Sequence, residues 1–497
     1  MMATETELKL RLAEAVDADT LLAELLPDAP VQQLKNTYFD TPDGQLAAWR
    51  MGLRIREVAG QREQTLKLAG TDGSALSARP EFNLPVSGDK PDLRAFERSI
   101  WPEDTDIEAL NAALVPVFST DFQRQAGLVA DGQLELAWDQ GEISAASRCL
   151  SLRELELELK GDDVSQLFIV AERLLVDGVQ CFGLSKAARG NWLAGDKPAL
   201  SLAEPNPDIN RQMNNEQVLG QALQAALTQW QQAEDVFLLQ PGWKPLMAIA
   251  RALQYFRQVL SLFGALVPRK ASSELRQECQ WLADLLAQAQ TQARLSKLLS
   301  AKASYLKKLS IGEELREIAE QRHQELPTMG DFTTLFASQR ANRLKLMALR
   351  FVTLKGWRAR LDDKALAELD KPIKWFADTQ LARAQAELKR NLVKGLSVAG
   401  YLDQQSRISR FLAACRTFAA LYDNEQANDM QEQWQDLLEG IEEGLRLDGL
   451  AQLASRLDMT DDDAEQFEGW LTRKRQSLLT AMEQSRQLCL EQLPFWP

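Results

Sequence analysis

A single histidine, His323, stands among 497 residues, and that scarcity removes whole classes of chemistry. A Ser-His-Asp triad, an HExxH zinc helix or a three-histidine metal site each needs histidine at several positions or beside a nucleophile motif. His323 itself lies in the polar run Gln321-Arg322-His323-Gln324-Glu325, which reads as a solvated helix end. Cysteine is thin as well. Cys149, Cys181, Cys279, Cys415 and Cys489 are scattered without a CxxC pair, which suggests neither a disulfide framework nor a zinc knuckle and fits a reducing compartment. No apolar run approaches the roughly 20 residues that span a bilayer. Glu5 and Glu7 stand where a signal peptide would carry a basic and then an apolar segment. The expectation is a soluble cytoplasmic protein with no membrane partner. A GxxxxGK[ST] loop is missing too, so a bound phosphate would be held by side chains rather than by a backbone cradle.

Positive charge is in deficit overall. Lys and Arg number 57 against 71 Asp and Glu, for a net charge of -14 and a pI near 4.9. That argues against a protein that coats nucleic acid by bulk attraction. The deficit is uneven: residues 1–200 hold 20 basic against 33 acidic residues, whereas residues 331–420 hold 17 against 8. At this length two or three domains are the starting expectation.

The chain has two grammars. Over residues 1–200 short segments alternate apolar and polar residues, as in Leu8 to Leu12, Gly52 to Arg56, Gln64 to Leu68, Leu134 to Asp139 and Leu152 to Leu159, with turns at Thr41-Pro42-Asp43-Gly44 and Gly70-Thr71-Asp72-Gly73. This period of two predicts strands. Helices are expected at Ala18 to Leu26, Asp106 to Leu114 and Ser165 to Leu175. A breaker-rich stretch at residues 201–215, containing Pro205-Asn206-Pro207-Asp208, reads as a linker. From residue 216 to 497, Ala, Leu, Gln, Glu and Arg recur at helical spacing, which predicts an all-helical domain of about eight to ten helices packed as bundles.

The polar face of the strands is sorted by sign. Glu5, Glu7 and Lys9 share one parity, Arg54 and Arg56 another, and Glu154, Glu156 and Glu158 a third. Side chains two apart point the same way, so three carboxylates lie about 7 Å apart along one strand and repel unless cations sit among them. One such stripe fits a solvent-facing sheet. Several, some acidic and some basic within 200 residues, fit a closed barrel whose lumen is charged. Hard carboxylate oxygens suit Mg²⁺ or Mn²⁺, and Arg54, Arg56 and Lys67 suit phosphate oxygens. Together they imply metal-assisted phosphoryl transfer.

Glu5-Thr6-Glu7-Leu8-Lys9 resembles the N-terminal ExExK signature of the CYTH superfamily, the triphosphate tunnel metalloenzymes. In family order follow Tyr38 to Pro42, Gly52 to Arg56, Thr65-Leu66-Lys67, Arg79-Pro80-Glu81, Thr120 to Arg124, Asp139 to Glu142, Glu154 to Glu158 and Ser185 to Gly190. The resemblance implies an eight-stranded antiparallel β-barrel tunnel followed by an all-α CHAD helical domain, as in bacterial inorganic triphosphatases. It implies that Glu5, Glu7, Glu81, Asp139, Glu156 and Glu158 hold divalent metal, with Glu154 on the same face as a further ligand or as an acid behind them. Lys9, Arg54, Arg56, Lys67, Arg79, Arg124, Lys186 and Arg189 would grip the substrate, with Lys9, Glu7 and Arg56 nearest the chemistry. The implied reaction is hydrolysis of inorganic triphosphate. Thiamine triphosphatase and adenylate cyclase activities belong to the same fold, and a non-catalytic polyphosphate-binding scaffold is the rival from another class.

In the helical half, Leu246 to Phe263 resembles the first CHAD signature helix, yet Met247, Ala250, Gln254 and Tyr255 stand where the family pattern has a histidine and several arginines, with Arg257 kept. Arg340, Arg343, Lys345, Arg350, Lys389, Arg390, Arg407, Arg410 and Arg416 supply a basic stretch. A structural or partner-docking role for this half ranks ahead of polyphosphate binding.

Overall fold

A computed structural model describes residues 3–58, 60–68, 76–195, 202–299, 308–359, 361–422 and 424–497, and the side chains of Ala3, Thr4, Glu5, Ser77, Arg79, Leu298, Leu299 and Asn424 lie outside that description. The expected turn at Gly70 to Gly73 also lies outside the described residues. Two compact units emerge. The first comprises Met1–Ala203, Leu227–Ile249 and Phe332–Leu354; the second comprises Glu204–Ala226, Ala250–Asp331 and Lys355–Pro497.

Among the described residues the first unit has nine strands: β1 (Ala3–Leu12), β2 (Val31–Asp40), β3 (Gly52–Val58), β4 (Gln61–Lys67), β5 (Leu76–Pro85), β6 (Val115–Val129), β7 (Leu134–Ala145), β8 (Arg148–Leu159) and β9 (Val179–Cys181). Their order is β5-β4-β3-β2-β6-β7-β8-β1-β9, and β5 also pairs with β1. Eight antiparallel strands therefore close into a ring. The ninth, three residues long, is an addition to the expected eight and pairs with the far end of β1, Leu10 facing Cys181. Closure leaves no open edge among the eight.

The period-two pattern explains both faces. Leu8, Leu10, Leu155 and Leu157 are fully buried on the outside of the ring, where α4 (Ser165–Leu174) covers β1 and β8 with Leu167, Phe168, Ala171 and Leu174. A second outer patch, Phe39, Leu53, Ile55 and Leu66, is sealed by Leu46 of α2 (Gln45–Ala48) and Leu110 of α3 (Ile107–Ala113). Burying each such side chain contributes roughly 1.5–3 kcal/mol. The short α1 (Ala18–Leu22) begins at Asp17, whose carboxylate accepts the Asp19 and Thr20 amides. Asp40, in the Tyr38 to Pro42 motif, is likewise a cap: its carboxylate accepts the Leu46 amide at 2.7 Å and the Ala47 amide at 2.9 Å.

Inside the ring, one end is apolar. Leu34, Tyr38, Phe118, Phe122, Ile143 and Leu152 pack with Leu193 of α5 (Lys186–Ala194). The α5 helix lies against β6, β7 and β8. Gly190 permits this approach, since a Cβ there would fall within the Phe118 ring. The helix starts at Ser185, whose hydroxyl accepts the Ala188 amide. Its first residue, Lys186, thereby enters the lumen.

The remaining helices are α6 (Asn215–Leu239), α7 (Trp243–Leu262), α8 (Ser273–Leu299), α9 (Gly312–Gln324), α10 (Met329–Ala337), α11 (Gln339–Thr353), α12 (Asp363–Leu369), α13 (Ile373–Asn391), α14 (Val398–Leu402), α15 (Gln405–Phe418), α16 (Asn424–Ala454) and α17 (Asp461–Glu491). They exceed the expected number because α12 and α14 span only seven and five residues, too short for a helical period to register. In the second unit Phe263, Phe376 and Phe418 form one aromatic core. Leu315, Leu450, Phe467 and Leu471 belong to another. No helix among the described residues is long and apolar enough to cross a membrane.

Candidate functional site

The strand register brings the sorted stripes together. Across β1 and β8, Glu7 faces Glu158, Lys9 faces Glu156 and Arg11 faces Glu154. Across β8 and β7, Glu154 faces Asp139, and Asp139 in turn faces Arg124 on β6. Directly opposed residues share a face of the sheet, so these side chains line one lumen.

The acidic wall is saturated with cations. Carboxylate oxygens of Asp139, Glu154 and Glu156 lie within 4.8 Å of one another. Lys186 Nζ stands among them, 2.7 Å from Asp139 and 2.9 Å from Glu156, and also pairs with Glu154. Arg189 takes the other oxygen of Glu154. Arg124 makes a two-pronged contact with Asp139 at 2.7 and 2.6 Å and reaches Glu156. Lys9 Nζ sits 2.8 Å from Glu7 and 3.7 Å from Glu156. Burial alone would push Glu156 up, but Lys186, Arg124 and Lys9 hold it well below the usual carboxylate range. Burial likewise works against Glu154, and Arg189 and Lys186 reverse its effect. The Lys186 ammonium is held in its charged form because the three acids outweigh its desolvation.

The opposite wall is cationic. Lys67 pairs with Glu81 at 2.6 Å, and Arg54 reaches Glu81 at 3.6 Å. Arg56 donates from Nε to Asn36 at 3.1 Å, and Asn36 in turn donates to Thr120 at 2.9 Å. Burial, then the neighbouring guanidiniums of Arg54 and Arg124, lower Arg56 to about 10. Nε of Arg54 is buried without a hydrogen-bond partner. A buried donor left in this way costs about 1–3 kcal/mol.

Glu158 lies at the rim, paired with Lys160 at 2.6 Å. Glu5 and Arg79 face each other in the β1–β5 register, with side chains outside the described residues. Sequence reasoning passed over Asn36 and gave no role to Tyr38 and Thr120, which stand in its motifs; all three line the same lumen. It also passed over Arg11, which has the parity of Glu7 and Lys9 and lies over the Phe182 ring. Parity alone would have marked Arg11; Asn36 needed the β2–β3 pairing with Arg56.

A metal would find a suitable donor set here, since hard divalent ions take carboxylate oxygen and the Asp139, Glu154 and Glu156 oxygens converge. Both oxygens of each of the three are already engaged by Arg124, Lys186 or Arg189, so an ion bound there would displace cations of the protein.

A model of the CYTH domain matches residues 3–190, and a model of the CHAD domain matches residues 221–454. The chain is a CYTH domain followed by a CHAD domain. An inorganic triphosphatase of Haemophilus influenzae is 34% identical over 208 residues, which is 40% of this chain, and the chain spans 58% of that relative's length. Among solved structures, a Hippeastrum protein described as an adenylyl cyclase candidate with dominant triphosphatase activity is 22% identical, covering 38% of this chain and 95% of its own with a TM-score of 0.30. The CHAD domain of Ricinus communis is 16% identical, covering 61% of this chain and 99% of its own with a TM-score of 0.47.

Much of the CHAD domain's basic stretch is engaged internally. Lys345 pairs with Glu234 in full burial, and Arg343 pairs with Glu172 at 2.6 Å. Arg416 lies over the Tyr255 ring at 4.0 Å and pairs with Glu204. Arg407 and Arg410 share Glu387. His323, on the last turn of α9, is half-buried, with Nε2 3.0 Å from the Ser296 hydroxyl.

Proposed function

We propose that the CYTH tunnel binds inorganic triphosphate and hydrolyses it to pyrophosphate and phosphate with Mg²⁺ or Mn²⁺. The observation that carries this reading is the crowding of Arg54 and Arg56 on β3 with Arg124, which in turn contacts the converging carboxylates of Asp139 and Glu156. The likeness to the Haemophilus influenzae inorganic triphosphatase supports the same substrate. The catalytic domain is assigned to residues 1–200, joined through residues 201–215 to a helical domain at 216–497.

In this reading Arg54, Arg56, Lys67, Arg79, Arg124, Lys186 and Arg189 bind the phosphate oxygens. Carboxylates from Glu5, Glu7, Glu81, Asp139, Glu156 and Glu158 would hold the metal, with Glu154 a further ligand or an acid behind them, and the metal would draw charge from the phosphate oxygens. A water oxygen bonds to the terminal phosphorus, the bridging P–O bond breaks, and the electron pair leaves with pyrophosphate. Lys9 Nζ lies 2.8 Å from Glu7 and 3.7 Å from Glu156. Glu7 is assigned to receive the water proton, with Lys9 orienting it and Arg56 countering charge on the transferring group. Phosphate release from tripolyphosphate by the full chain, with and without Mg²⁺, tests the reading against ATP and thiamine triphosphate. Metal-dependent release that is fastest from tripolyphosphate supports it, whereas faster turnover of either competitor, or binding without release, overturns it.

A further inference from the structure

Within the first unit, residues 177–183 connect α4 to α5, and the helical stretches 227–249 and 332–354 grip their backbone. Gly178 donates its amide to the Ala337 carbonyl at 2.8 Å. Cys181 donates to Asn342 Oδ1 at 2.9 Å, and its carbonyl accepts from Gln231 Nε2 at 3.3 Å. The Gly183 amide faces both oxygens of Asp235, at 3.2 and 3.1 Å. Gln231 Nε2 also donates to Asp235 at 2.7 Å, which fixes that carboxylate. One edge of β9 pairs with β1, so these side chains cover the edge that would otherwise offer open backbone groups.

Two residues beyond Gly183 stands Ser185, the cap of α5, followed by Lys186 and then Arg189, which pair with Asp139, Glu154 and Glu156. Asp235 touches none of these acids. Its grip acts through the backbone that launches the helix. Gln231, Asp235 and Asn342 all lie within the CHAD match, residues 221–454.

We propose that Asp235 is a positioning residue of the tunnel: by holding the Gly183 amide it fixes the start of α5, so the CHAD segment sets where Lys186 and Arg189 meet the triphosphate. The assignment of Lys186 and Arg189 to substrate rests on the proposed function; the positioning itself does not. Placement of such groups to within a fraction of an ångström governs how tightly they bind.

Full-length Asp235→Ala and Asp235→Asn test it with two readouts: steady-state hydrolysis of tripolyphosphate with Mg²⁺, and amide hydrogen exchange over residues 183–190 without substrate. Asp235→Ala is expected to raise KM about tenfold with kcat within about threefold, and to speed exchange across 183–190 about tenfold or more. Asp235→Asn keeps one acceptor oxygen for Gly183 and should recover most of both. Unchanged exchange in a folded Asp235→Ala overturns the proposal, as does an Asn variant no better than the Ala variant. Should the Ala variant fail to fold, Asp235→Ser, whose shorter side chain keeps a buried hydroxyl but falls short of the Gly183 amide, takes its place: exchange over 183–190 identical to wild type overturns the proposal and faster exchange supports it. A wild type that leaves tripolyphosphate intact while 183–190 loosens in the variants defeats the proposed function alone. Hydrolysis with raised KM but unaltered exchange defeats the positioning alone.

Discussion

On β7 and β8 the tunnel's carboxylates each meet a cation, whereas on β3 the guanidiniums crowd one another. Asp139, Glu154 and Glu156 share Lys186, Arg189 and Arg124. Arg56 donates to Asn36 and loses basicity to burial and to Arg54 and Arg124. Both walls hold charge away from water, which is costly without compensation. The acidic wall is compensated by the protein itself; on the basic wall Glu81 serves both Lys67 and Arg54, while Arg56 lies among guanidiniums. Charge on the first wall should therefore serve stability besides any ligand it holds, whereas charge on the second should come at the expense of stability.

Glu154 gives the largest way to break that contrast. Glu154→Gln leaves Lys186 and Arg189 buried with one fewer anion, and removing one partner of such a pair costs about 3–5 kcal/mol. Urea unfolding of the full chain should show a loss of that size in the first transition. A loss below about 1 kcal/mol would place Glu154 outside the supporting network.

Arg56 comes next. Arg56→Met should lower kcat/KM for tripolyphosphate about 10²–10³-fold, the usual effect of losing one donor to developing charge. The same variant should unfold later than wild type, gaining about 1 kcal/mol, because the charge it removes is disfavoured in the folded state. Activity and stability moving in opposite directions is the expected result; a joint fall would make Arg56 another structural cation.

How much of this was legible beforehand depends on distance along the chain. The inward stripe of β8 followed from period two alone, because Glu154, Glu156 and Glu158 alternate with Leu155 and Leu157. What Glu154 meets did not, since Lys186 lies 32 positions away and arrives through α5. The β3 stripe was equally plain, but Asn36 joined it only through the β2–β3 register. Asp40 sits in a motif that suggested function and caps α2. Local periodicity encodes which way a side chain points, whereas register and helix placement decide its company. The grip of Asp235 on Gly183, 52 positions apart, belongs wholly to the second kind.

The smallest expected effect lies outside the tunnel and shows the same rule with exposed partners. Glu216 in the second unit accepts from Arg358 at 2.6 and 2.7 Å, from Trp357 at 2.9 Å and from Lys355 at 3.2 Å. The Arg358 bond leads in lowering its carboxyl from 4.5 to about 2. A carboxyl lowered on folding adds stability that is complete above its unfolded value and disappears as pH falls through the folded one. Arg358 and Lys355 are about half exposed, and solvent screening reduces the contribution to about 1 kcal/mol. Wild type should thus exceed Glu216→Gln by a constant margin above pH 5, with the two unfolding midpoints converging between pH 4.5 and 2. A margin that persists at pH 2 would mean that the Trp357 contact and packing, rather than charge, hold this corner together, and the acidic wall of the tunnel would then need the same reappraisal.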